Sequence, residues 1–116
     1  VEVELQADCL AGVLIDIGSK QLGITRQDTI QMAQAAYAIG DPTHGTGAQR
    51  AYAVYAGFGL SEEITCSTPD MKKLAASQIN DPVFQKLASQ RSANGVDLDK
   101  PQTHLKSISG SLLGGI

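Results

Sequence analysis

The sequence predicts an all-α domain of four to five helices. Three observations carry that expectation. Apolar residues recur at helical spacing through the first half of the chain, with no alternating run that would mark a strand. Side-chain caps and Gly or Pro stops bracket those runs at regular intervals. The 116 residues hold only two Phe, three Tyr and no Trp, so a core must be built from Ala, Leu, Ile and Val, and 42% of the chain is apolar.

The first helix is expected over about residues 2–21, where Leu5, Leu10, Val13, Leu14 and Ile17 repeat and Gly23 supplies a stop. Thr25 is the N-cap of a second, with Asp28 near its positive end and Ile30, Ala33, Ala36, Tyr37 and Ile39 along it. Gly40 and Pro42 end it, and residues 41–45 make a turn. Thr46 and Gln49 have the spacing of a capping box, each side chain serving the other's backbone donor. A third helix follows, with Tyr52, Val54, Tyr55 and Phe58 as core or interface residues and Gly57 and Gly59 loosening its end. Ser67 with Pro69, and Asp81 with Pro82, open two shorter helices. Lys72 and Lys73 read as a solvated helix face. Residues 107–116 are rich in Gly and Ser and read as a flexible or partner-bound tail.

Composition excludes some functions. The net charge is −3 and the nine Lys and Arg form no basic run, which argues against nucleic acid. No apolar run reaches the roughly 18–20 residues of a membrane span. No Rossmann or P-loop spacing occurs, and Ser77, Ser89 and Ser92 lack a nucleophile's partners. Cys9 and Cys66 allow one pairing, closing a loop of nearly sixty residues. A bridge is favoured and implies an oxidising compartment; the alternative is two buried free thiols.

Two stretches carry chemistry. Glu4 and Asp8 lie four residues apart, so both carboxylates share one helix face, and the small Ala11 and Gly12 lie on or beside it. Such acids beside an apolar helix surface need pairing, hydrogen bonds or a metal. Further on come Thr43-His44-Gly45-Thr46 and Gln49-Arg50. Arg50 is expected to pair with Asp41 or Asp8, and His44 reads either as a backbone-bonded turn residue or as a neighbour of the site.

Glu4-Leu-Gln-Ala-Asp8-Cys9, followed by Ala11-Gly-Val13, resembles the E-x-x-A-D element of bacterial neutral zinc metallopeptidases, and the His-Gly-Thr to Gln-Arg stretch resembles a second element of that family. The resemblance spans residues 1–66. It implies the C-terminal half of a zincin-like domain, with residues 67–116 forming short helices and tail of unassigned role. It implies Glu4 as third zinc ligand, Asp8 as an acid orienting a His ligand, and Arg50 anchoring the turn before its helix. Thr46 and Gln49 are structural. The HExxH helix that supplies two His ligands is not among these residues, whose only His are His44 and His104. His104 reads as a tail residue. Zinc is therefore expected only with ligands from outside the chain. Either the upstream half is not part of this sequence, or the lineage has lost it. Two functions follow: a non-catalytic scaffold or interaction module of a larger assembly, which the residues favour, or part of a zinc peptidase. A protein partner or a missing N-terminal half, and a location outside the cytoplasm in the cell envelope, go with both.

Overall fold

A computed structural model describes residues 1–90 and residue 96. The expected tail of residues 107–116 and His104 lie outside the described residues. The described chain is all-helical, with five helices and no strand: α1 Glu2–Leu22, α2 Arg26–Ala38, α3 Gly47–Gly57, α4 Thr68–Ala75 and α5 Pro82–Ser89.

The caps foreseen from sequence close four of these helices. Thr25 accepts from the Asp28 N–H while the Asp28 carboxylate accepts from the Thr25 N–H, a complete capping box. Thr46 and Gln49 do the same at α3. Ser67 accepts from the Asp70 N–H and Asp81 from the Val83 N–H, each ahead of a Pro in the first turn. Gly23 ends α1 in the left-handed region, φ 66°.

Helix α3 is the centre of the packing. α1 and α2 both lie against it, α5 covers another side, and α4 sits on α1. Its residues from Ala51 to Ala56 are all buried. Tyr52 stacks at a tilt on Tyr55, ring centroids 5.3 Å apart, and meets Phe84 of α5 edge-on at 5.5 Å. The Tyr52 hydroxyl donates to Asp81 at 2.6 Å and shares a 2.8 Å hydrogen bond with Ser61. Burial, then the Asp81 contact, pushes its pKa upward. Met71, Leu74, Val83 and Leu87 extend the same core beyond residue 66.

Two sequence expectations change here. Gly57 does not loosen the end of α3; it is where α1 and α3 touch. A Cβ on Gly57 would collide with the Cys9 carbonyl, and one on Gly12 would lie 2.6 Å from the Val54 carbonyl oxygen. Glycine is required at both because two helix backbones meet. The apolar repeat of α1 also divides between two faces. Leu5 and Val13 are buried with Cys9 and Gly12, whereas Val3 is 78% exposed, Leu14 67% and Ile17 56%. Successive residues turn by 100°, which sets these three opposite the buried row.

Cys9 and Cys66 are joined in a disulfide, Cα–Cα 5.6 Å, across 57 residues of sequence. Both are fully buried. Beside them Gln6 donates to the Cys66 carbonyl at 2.9 Å, so the start of α1 is tied twice to the segment ahead of α4.

Candidate functional site

The first two turns of α1, the turn at residues 41–45 and the start of α3 meet at one edge of the domain. The turn is shaped by Asp41. One of its oxygens, Oδ1, accepts from the backbone N–H groups of Thr43 and His44, both at 2.7 Å. The Asp41 N–H in turn donates to the Gly45 carbonyl at 2.7 Å, closing the turn as an isolated bridge. Hydrogen bonds from the His44 backbone, then from its ring, hold the Asp41 carboxyl below its ordinary pKa. Gly45 presses on α1 and α3: a Cβ there would come within 3.2 Å of the Leu5 and Arg50 side chains. His44 therefore stands beside the turn of α1 that carries Glu4.

Asp8 and Arg50 form the rigid part of this edge. Arg50 Nε donates to Asp8 Oδ2 at 2.7 Å and Nη2 to Oδ1 at 3.0 Å. The two side chains are 14–15% exposed, and Asp8 raises the Arg50 pKa further. Of the two acids considered for Arg50 from sequence, Asp8 is its partner. The pair clamps α1 to α3, in a fork-to-fork geometry that Lys cannot reproduce. Each Asp8 oxygen keeps a further lone-pair direction beyond its bond to Arg50. Removing either partner strands a half-buried charge. Arg50→Ala should therefore cost about 2 kcal/mol in urea unfolding. In a double-mutant cycle with Asp8→Ala the losses should couple by about 1–3 kcal/mol; fully additive losses would show that the clamp carries nothing.

Glu4 is part-exposed, and its carboxylate lies 3.3 Å from the Val1 amine. Its own backbone N–H, and then that amine, lower its pKa, with a smaller share from His44. Glu4 also contributes to raising the Arg50 pKa, which sets Glu4, Asp8, Asp41, His44 and Arg50 in one electrostatic neighbourhood. Thr46 and Gln49 hold the start of α3 as a capping box, and Gln49 does more than its spacing announces. Its Nε2 donates to the Ala75 carbonyl at 3.0 Å and to Ser77 Oγ at 3.1 Å, binding α3 to the end of α4. Ser77 there adopts φ 56°.

Zinc does not fit these residues alone. Among the described residues no three of His, Cys, Asp and Glu converge where they could hold a metal ion. A zinc site would need ligands from outside the described residues.

Sequence reading missed one ionisable group. Asp16 is 6% exposed, on the face of α1 that packs inward, and neither carboxylate oxygen has a hydrogen-bond partner among the described residues. Burial raises its pKa to about 7. The signal was there: Asp16 continues the buried series of Leu5, Cys9, Gly12 and Val13 at i+3 and i+4 steps.

No helix among the described residues is long and apolar enough to cross a membrane. No curated protein and no solved structure matches the chain. Residues 1–69 match the family described as "Putative neutral zinc metallopeptidase". That span contains Glu4, Asp8, the 41–45 turn and Arg50, and covers more than half of the sequence: the chain belongs to the neutral zinc metallopeptidase family.

Proposed function

We propose that this chain contributes the third-ligand edge of a zinc-dependent peptidase, with Glu4 as ligand and two His ligands supplied from outside these residues. The observation that carries this reading is the Asp8–Arg50 clamp one turn from Glu4. It fixes the helix face on which a part-exposed carboxylate stands, as a ligand that must meet a metal in fixed geometry requires. Bound zinc would supply the polarised water for peptide hydrolysis. Residues 1–66 are the metallopeptidase-like region in this reading, corresponding to the C-terminal half of the catalytic domain. Residues 67–116 have no assigned role in it. The Cys9–Cys66 bridge favours a location outside the cytoplasm, in the cell envelope.

One observation favours a second reading, a non-catalytic scaffold or interaction module. Val3, Leu14 and Ile17 leave the outer face of α1 apolar and uncovered, and a contiguous exposed apolar face marks a contact with another protein or with a missing half of the domain. Hydrolysis separates the two readings. In the peptidase, peptide cleavage by the intact protein is lost with a zinc chelator, returns with added zinc, and is abolished by Glu4→Gln. In the module, no chelator-sensitive cleavage occurs at all.

A further inference from the structure

His44 is held on one side and free on the other. Its Nδ1 lies 3.0 Å from Asp41 Oδ2 and 3.2 Å from Oδ1. Asp41 is kept ionised by two backbone N–H donors and the His44 ring, and a carboxylate only accepts, so the imidazole must present Nδ1–H to it. In the neutral ring, that leaves the lone pair on Nε2. Among the described residues Nε2 has no hydrogen-bond partner, and the side chain is 55% exposed. Arg50 and Asp8 satisfy one another, so neither draws on the ring. The turn beneath it is closed by the Asp41–Gly45 bridge and packed on Leu5, which fixes the ring before any ligand arrives.

We infer that Asp41 holds His44 as the Nδ1–H tautomer so that Nε2 accepts a hydrogen bond from a main-chain N–H of a bound peptide, a role that rests on the peptidase reading. The chemistry fits that ligand class. A neutral imidazole with its Nδ1–H engaged is a single directed acceptor, and every residue of an extended peptide except Pro offers a donor. His44 would then be a substrate-binding residue and Asp41 a positioning residue acting through it.

The test has two arms. Long-range ¹⁵N–¹H NMR on the full chain reads the tautomer, with His104→Gln assigning the two imidazoles. Wild type should show His44 protonated at Nδ1, and Asp41→Ala should release it to a tautomer mixture. An Nε2–H tautomer, or a ring protonated on both nitrogens at the pH of cleavage, would overturn the inference without any activity measurement. In the second arm, the intact zinc-loaded peptidase carrying His44→Ala should lose at least tenfold in kcat/KM, mostly as a raised KM. Its zinc content and Tm should stay unchanged. His44→Gln, whose side-chain carbonyl is also an acceptor, should recover part of the loss. Wild-type cleavage with His44→Ala within twofold of it would refute the role of His44 and leave the peptidase reading standing. A wild type that binds no zinc and cleaves nothing would remove the peptidase reading, and the role of His44 with it.

Discussion

Asp16→Asn should stabilise this protein at pH 8 by about 2–4 kcal/mol. The carboxyl of Asp16 is buried on the inner face of α1 with both oxygens unpartnered among the described residues. Desolvation raises its pKa from 3.8 to about 7. The folded state thus holds the Asp16 proton more tightly than the unfolded chain. Its contribution is most favourable below about pH 4, declines as pH rises through the folded pKa, and is fully lost above it. The gap between 3.8 and about 7 corresponds to about 4 kcal/mol. The gain from Asn is smaller, because a buried amide without a partner also costs. Glu4 and Asp41, whose pKa values are lowered, give stability the opposite slope at acid pH. The difference between wild type and variant cancels them. Urea unfolding at intervals from pH 4 to 8 should show the two diverging as pH rises. Parallel curves would mean that Asp16 stays ionised and solvated in the folded protein.

Opening the Cys9–Cys66 bridge should have an effect of similar size. The bond closes a loop of 57 residues, worth about 4 kcal/mol by loss of unfolded-state entropy. A domain of this size has about 5–15 kcal/mol of stability in total, so the reduced protein should sit close to its unfolding limit. Both sulfurs are buried where α1 meets the segment ahead of α4, and the Gln6 bond to the Cys66 carbonyl depends on the same contact. The Cys9→Ala, Cys66→Ala protein, or wild type in a thiol reductant, should unfold at a much lower urea midpoint. An unchanged midpoint would show that helix packing alone holds α1 in place.

Local features of this fold were legible in the sequence and long-range ones were not. Thr25 with Asp28, Thr46 with Gln49, Ser67 and Asp81 each announce a helix start, because a cap is written within a few residues of the group it satisfies. The Gly12–Gly57 contact was not legible in full. Gly12 read as a small residue on or beside the face of the two acids, but nothing local says that its partner lies 45 residues away in a glycine that reads as a helix end. The repeat of Leu5, Leu10, Val13, Leu14 and Ile17 told of a helix but not of two apolar faces, since spacing alone does not say which face a neighbour covers. At the site, the spacing of Glu4 and Asp8 placed both on one side of α1. The choice of Asp8 over Asp41 for Arg50 needed the fold, which spends Asp41 on the turn and on His44. The short elements that resemble the family lie within the matched residues 1–69.

The most direct test of Glu4 as a zinc ligand is metal content together with intact mass, measured on the protein from its native source and on Glu4→Gln. The peptidase account predicts one zinc per molecule in a species larger than the 12.1 kDa of this sequence, or in a complex with a second chain, and its loss in Glu4→Gln. Zinc retained in Glu4→Gln, or a zinc-free species of that mass, would contradict it and leave the apolar face of α1 as the working surface of the molecule.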